Sequence, residues 1–268
     1  MVRVGLIGCG TIGSQLALAV QQRYPGIARM TALHDVDGAR AAALAWRLTP
    51  RPSLTSLPAL IRHSDVVLEA ASADVAGTIA TQALKAHRDV LVMSVGGLLR
   101  STTWQRAARR SRGTVYIPSG ALAGLDGIKA MATGRITRVT LTTRKPPRAL
   151  AGAPYLRRKR LQLNRLTRPT AVFEGSARSV VEAFPQNTNV AAALTLASGM
   201  AARRTRVRVV ADPNLRVNVH ELDVQGDCGR IRCTIESRPS MNPKTSELAV
   251  RSAIATLGRL FDSVSIGT

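Results

Sequence analysis

The stretch Gly8-Cys9-Gly10-Thr11-Ile12-Gly13 restricts this chain more than any other feature of it. It comes directly after a β-branched run, Val2 to Ile7, and opens a segment, Ser14 to Arg23, in which Leu16, Ala17 and Val20 fall at helical spacing. Strand, glycine turn and helix in that order make a cradle for a pyrophosphate. Gly8 permits the tight turn, Gly10 lets the backbone approach the phosphates, and Gly13 lets helix and strand pack closely. Thr11 and Ile12, within this turn, are cofactor candidates too, because the helix it opens offers unpaired N–H groups and a dipole that favour an anion. Asp35 lies 22 residues beyond Gly13, at the end of the next strand-like run, where a carboxylate accepts both hydroxyls of a ribose. Its charge repels a 2′-phosphate, so NAD is expected over NADP. Arg40 and the overall positive field act in the opposite sense and keep NADP as the alternative.

The first 120 residues repeat the same grammar. Met30 to Asp35 reads as a strand and Gly38 to Leu48 as a helix. Asp65 to Ala71 follows as a buried strand, with Ser72 placed to cap a helix through Ile79 and Leu84. Asp89 to Val95 is a further strand, Ser101 to Ser111 a basic amphipathic helix, and Thr114 to Pro118 another strand. Such alternation predicts a parallel sheet covered on both faces. Ligands of these sheets lie beyond the carboxyl ends of the strands, so Glu69-Ala70-Ala71-Ser72, Ser94-Val95-Gly96 and Ser119-Gly120-Ala121 are expected to line the cleft. Ala71, Ser72 and Ser94 are cofactor candidates on that ground, and Ser119 a substrate candidate.

After Ser119 the pattern changes. Ile136 to Thr143 alternates with a two-residue period and leads into a Pro, Gly and Arg-rich stretch, Lys145 to Pro169. Ala177 to Phe184 and Asn189 to Met200 read as helices. Arg206 to Ala211, Leu215 to Gln225 and Arg230 to Arg238 read as strands, the last two joined through Gly226-Asp227-Cys228-Gly229 as a hairpin. Lys244 to Phe261 carries a helical stripe, Leu248, Ala249, Ile254, Leu257 and Leu260. The expected fold is α/β: an N-terminal Rossmann doubly wound parallel sheet over residues 1–120, a smaller α+β domain for substrate and dimerisation over 121–241, and a C-terminal helix, 242–268, packing back on the first domain.

Composition removes several classes of function. At 268 residues and 45% hydrophobic content a large core is within reach, but the longest largely apolar runs, Val66 to Ala73 and Val190 to Ala197, fall well short of the roughly 20 residues of a bilayer span. With no secretory signal pattern at Met1, a cytoplasmic protein is expected, with no membrane partner. Three cysteines, Cys9, Cys228 and Cys233, lack both disulfide and zinc-knuckle spacing, so no metal site is expected. The net charge is +22, and five lysines among 38 basic residues leave 33 arginines. These are scattered, and aromatic residues, the stacking platforms of single-strand binders, make up 3% of the chain. Specific nucleic-acid binding is therefore not expected; the field suits anionic cofactors and dicarboxylates.

A dehydrogenase needs a group that exchanges a proton as hydride moves, and histidine has a suitable pKa. Of four histidines, His34 precedes the ribose acid, His63 sits in a polar connection, and His87 follows a helix at the other end of the sheet. His220 lies on a second-domain strand, on the same face as Asn218; a structural donor and a catalyst both fit that position. Several blocks then become specific together: Pro118 to Asp126, Arg144-Lys145-Pro146-Pro147, Phe173 to Ala177, Phe184-Pro185-Gln186-Asn187-Thr188-Asn189-Val190-Ala191 and Asn218-Val219-His220-Glu221. With the glycine turn they run in order through nearly the whole chain, which closely resembles the L-aspartate dehydrogenase family.

The resemblance implies oxidation of L-aspartate to iminoaspartate, which hydrolyses to oxaloacetate and ammonia, in the service of NAD biosynthesis. It implies His220 as catalytic acid/base, Ala123 and Asn189 as dinucleotide contacts near the nicotinamide, and a homodimer formed through the second domain. Asn187 and Asn218 are substrate candidates within its blocks. Lys145, just after a strand, is the candidate cation for a substrate carboxylate. The basic stretch Arg157 to Arg160 departs from the family's more acidic pattern. Two other readings remain open at this level. One is a related reductase, of the dihydrodipicolinate reductase or homoserine dehydrogenase kind, against which the Phe-Pro-x-Asn-x-Asn block speaks. The other is an NADH-sensing nucleic-acid-binding protein, which has no recognisable binding module in its favour.

Overall fold

The computed structural model describes residues 1–185, 188–240, 245–264 and 266–267. Six strands, Val2–Ile7 (β1), Ala28–His34 (β2), Ser53–Leu54 (β3), Val66–Glu69 (β4), Asp89–Val92 (β5) and Val115–Tyr116 (β6), form a parallel sheet in the order β3-β2-β1-β4-β5-β6. Helices Thr11–Arg23 (α1), Gly38–Ala45 (α2), Leu57–His63 (α3), Ala76–Lys85 (α4) and Thr103–Ala108 (α5) alternate with them. That is the strand order of a doubly wound dinucleotide fold, with its topological switch point between β1 and β4. Val4, Leu6, Leu16, Ala17, Val20, Leu33, Leu68 and Leu91 are fully buried. Each such large side chain removed from water stabilises the fold by roughly 1.5–3 kcal/mol.

The elements are shorter than their sequence patterns suggest. The strand at Asp89 stops at Val92 because Val95–Arg100 coils into a 3-10 helix. The helix expected from Ser72 starts at Ala76; Ser72 contributes its carbonyl, which accepts from the N–H groups of Val75 and Ala76. His63 does not sit in a polar connection but closes α3, whose single buried turn, Leu60 and Ile61, is too short to show a period.

The second sheet comprises Ile136–Lys145 (β7), Thr170–Ser176 (β8), Arg206–Ala211 (β9), Asn218–Gly226 (β10) and Gly229–Ser237 (β11), in the order β11-β10-β7-β9-β8. β7 and β9 are parallel and the other pairs antiparallel. Helices Leu125–Met131 (α6), Pro147–Leu150 (α7), Pro154–Arg158 (α8), Ala177–Ala183 (α9) and Asn189–Ser198 (α10) accompany it. β8 has no clear sequence signature, because a register shift between Ala171 and Phe173 breaks its alternation. β10 and β11 join through Asp227-Cys228, as the glycines on either side suggest. Along β7, Val139, Leu141, Thr143 and Lys145 are buried, and along β10, Asn218, His220, Leu222 and Val224 share the covered face. The stripe is apolar at one end and polar at the other.

The chain divides into two compact units, Met1–Pro118 with Ala253–Ser265, and Ser119–Ser252 with Ile266–Thr268. The last helix, Glu247–Phe261 (α11), starts in the second unit, and its Ala253 and Leu257 belong to the core of the first. Among the described residues no helix is long and apolar enough to cross a membrane.

One ion pair ties β1 to the turn before β4. Asp65 accepts from the Arg3 backbone N–H at 2.9 Å and from its guanidinium at 2.7 and 3.1 Å, with Arg88 3.8 Å away. The Arg3 bonds hold the Asp65 carboxyl down at about 2. A depressed carboxylate pKa stabilises the fold above the unfolded value and loses that contribution as pH falls through the folded one. Asp65→Asn is therefore expected to lower the unfolding temperature by a few degrees at pH 7, and calorimetry should show the gap closing between about pH 4 and pH 2.

Candidate active site

The glycine turn is held by contacts that leave no room for side chains. Gly8 has φ +93°, and a Cβ there would fall 2.5 Å from the Ala70 carbonyl; at Gly13 it would fall 1.9 Å from the Gly8 oxygen. Gly10 differs, since a Cβ added to it meets nothing within 4 Å. Gly10 is also the N-cap of α1 and brings no side chain to the helix end, so the N–H groups around Thr11 and Ile12 face an open approach. Asp35 takes the Cys9 N–H on Oδ2 at 2.6 Å and the Asp37 N–H on Oδ1 at 2.8 Å. Each carboxylate oxygen has a second lone pair for a ribose hydroxyl. These features fit a dinucleotide. Arg40 is engaged with Asp37, Nε to Oδ2 at 3.0 Å, which turns its charge toward that acid. Cys9 is buried, and burial together with Asp35 pushes its thiol up to about 12, so it remains protonated filler.

Glu69, fully buried at the end of β4, anchors the neighbouring loops. Its Oε1 accepts the Ala71 N–H at 2.8 Å and its Oε2 the Ser94 N–H at 3.0 Å. Burial raises its pKa, and the hydrogen bonds from Ser94 and Ala71 act against that rise. One carboxylate thus fixes the loops after β4 and β5, which carry Ala71 and Ser72, both exposed, and the half-buried Ser94. The sequence reading took Glu69 as part of the lining; its two-loop anchorage becomes visible only when β4 and β5 pair.

In the second unit the polar end of the covered stripe gathers His220, Asn218, Lys145 and Thr143. Lys145 does not follow the strand as expected. β7 continues to it, with Arg144 opposite Val210 and Lys145 opposite Ala211 on β9, and the pairing takes the ammonium inside, 4% exposed. Burial lowers its pKa to about 8. His220, 2% exposed, is pushed down to about 3 by burial and then by the Lys145 charge, so its imidazole is neutral near pH 7. Its Nδ1 lies 3.1 Å from Thr143 Oγ1. Asn218 is completely buried, and neither its amide oxygen nor its amide nitrogen finds a partner among the described residues. A buried unsatisfied amide costs about 1–3 kcal/mol, and a functional role is one of the explanations for such a cost. Thr143 was missed at the sequence level, because only the register of β7 against β10 puts it opposite His220.

Ser119, Ala123 and Asn189 lie near a second part of the same unit. Ser119 is half-buried, and a Cβ on the adjoining Gly120 would come 3.9 Å from Val190 at the start of α10. Asn189 is the exposed first residue of α10; Ala123 is exposed beside Gly124, whose φ of +76° opens α6. Asn187 lies outside the described residues.

Residues 126–260 match the family model described as aspartate dehydrogenase, C-terminal, and residues 8–118 match that described as homoserine dehydrogenase, NAD binding domain. The L-aspartate dehydrogenase of Methanosarcina barkeri is 43% identical over the whole of both chains. L-aspartate dehydrogenase 3 of Bordetella bronchiseptica is 40% identical over 99% of this chain and 97% of its own. The crystal structure of aspartate dehydrogenase from Thermotoga maritima, at 25% identity, aligns over the full length of both chains with a TM-score of 0.75.

The three glycines separate into two kinds, and substitution should show it. Gly10→Ala is expected to leave the unfolding temperature nearly unchanged while weakening NADH binding tenfold or more, about 1.4 kcal/mol. Gly13→Ala is expected to destabilise the protein itself, because its Cβ has no space beside the Gly8 oxygen. Fluorescence titration with NADH and thermal unfolding of the two variants check this; equal loss of stability in both refutes the distinction.

Proposed function

The chain belongs to the L-aspartate dehydrogenase family, and from that premise we propose that it oxidises L-aspartate to iminoaspartate with NAD, the imino acid then hydrolysing to oxaloacetate and ammonia. The observation that carries the reading is the buried group His220, Asn218 and Lys145 on one face of β7 and β10, within the part of the chain matched by the aspartate dehydrogenase model.

Oxidation takes a hydride from Cα and a proton from the ammonium, leaving an iminium as the nitrogen lone pair forms the C=N bond. The bound dinucleotide supplies the hydride acceptor. His220 receives the ammonium proton at Nε2, a contribution worth roughly 10²–10⁴ in rate. Lys145 attracts a substrate carboxylate, and the Asn218 amide offers N–H donors to the same class of group. In the empty site His220 is too weak a base, at about 3. A dicarboxylate opposite Lys145 opposes the field that helps depress it and stabilises the imidazolium, so substrate binding makes His220 a stronger base for the ammonium proton.

Asp35 supports NAD over NADP, since its carboxylate meets a ribose diol favourably and a 2′-phosphate unfavourably. Gly8, Gly10, Thr11, Ile12 and Gly13 hold the pyrophosphate; Ala71, Ser72, Ser94, Ala123 and Asn189 complete the dinucleotide contacts, and Ser119 and Asn187 contribute to the substrate. The reading includes a homodimer through the second unit, as the family resemblance implies.

Three assays test the proposal. With the purified protein, L-aspartate should reduce NAD and L-glutamate hardly at all, since its extra methylene misplaces the distal carboxylate relative to the amine. Equal rates on both overturn the substrate assignment. His220→Ala should lower kcat by roughly 10² or more with NADH affinity intact. Asp35→Ala should narrow the ratio of kcat/KM for NAD over NADP, and a wild type that favours NADP tenfold refutes the role given to Asp35.

A further inference from the structure

Thr143 on β7 stands directly opposite His220 on β10, and its hydroxyl oxygen lies 3.1 Å from Nδ1 of the ring. The two side chains are 4% and 2% exposed. β10 is paired on both sides, by β11 and β7, so the backbone under His220 is fixed. We propose that Thr143 is a positioning residue for proton transfer: its Oγ1 accepts the Nδ1–H of neutral His220, which leaves the Nε2 lone pair as the base. The inference rests on the reading of His220 as proton acceptor.

A neutral imidazole carries one proton, on either nitrogen, and the hydrogen bond made by one nitrogen decides what the other can do. Only the tautomer protonated on Nδ1 has a base at Nε2. Once Nε2 takes the ammonium proton, both nitrogens carry hydrogen, so Thr143 must accept at that stage whatever the resting tautomer. A hydroxyl already accepting from Nδ1–H needs no reorientation, and its bond becomes charge-assisted and about twice as strong as the ring becomes cationic. The contact therefore strengthens along the reaction, which is the condition for an interaction to raise kcat rather than binding. Valine at this position retains the branched shape and loses the acceptor.

Three variants and one spectrum test this. Thr143→Val should lower kcat about 10- to 100-fold, within the span that general-base catalysis supplies, with KM for aspartate and NADH affinity changed less than about twofold. Thr143→Ser, which restores a hydroxyl, should recover most of the turnover. With only four histidines in the chain, the His220 ring nitrogens can be assigned in an ¹⁵N-histidine spectrum by comparison with His220→Ala. The wild type should show Nδ1 protonated and Nε2 unprotonated, and the valine variant a mixture. Wild-type turnover in Thr143→Val beside an inactive His220→Ala overturns the role of Thr143 and spares that of His220. Wild-type turnover in His220→Ala removes His220 itself. A resting ring protonated on Nε2 overturns the proposed polarity of the bond even if the valine variant does not fold.

Discussion

The missing side chains at Gly8 and Gly13 are the constraint on which the first unit depends. A Cβ on either would overlap backbone, at Ala70 in one case and at Gly8 itself in the other. Their absence lets β1, the start of α1 and the loop after β4 meet at one point, the switch point of the sheet. The rest of the phosphate end follows from that meeting. Asp35 reaches back to the Cys9 N–H, and Glu69 ties the Ala70-Ala71 loop to Ser94. Two carboxylates, one half-buried and one fully buried, thus fix the loops around a turn that is itself held by steric necessity.

The second unit depends on a different device, a sheet whose covered face changes character along its length. Val139 and Leu141 on β7 and Leu222 and Val224 on β10 supply the apolar end, and Thr143, Lys145, Asn218 and His220 the polar one. Burial there works against charge. It lowers the Lys145 ammonium to about 8 and, with the Lys145 field, the His220 imidazole to about 3. An amide without a partner among the described residues, an ammonium weakened by burial and a neutral imidazole thus share one buried row.

The net charge of +22 sits mostly elsewhere. Arginines on the exposed side of the second sheet pair with the few acids present, Asp223 with Arg230 and Arg138, Glu221 with Arg144, and Glu174 with Arg208. Such exposed pairs contribute little each. The excess positive charge is a general attraction for anions.

The sequence by itself determined what is local. The glycine turn, the acid after the second strand, the alternation of strand and helix, and the hairpin at Asp227-Cys228 are readable because each depends on residues a few positions apart, where chain geometry dictates the outcome. Short or irregular elements escaped for the same reason: α3 has too few turns to display a period, and β8 breaks its own alternation. His220 and Asn218 were legible as a pair on one strand face, whereas the partners of His220 were not. Only tertiary structure decided that β7 runs on to Lys145 and takes it inside, that Thr143 faces a ring 77 positions away, and that Glu69 spans two loops. Register between strands distant in sequence is fixed by which faces become buried together, and that is a property of the assembled sheet rather than of any segment in it.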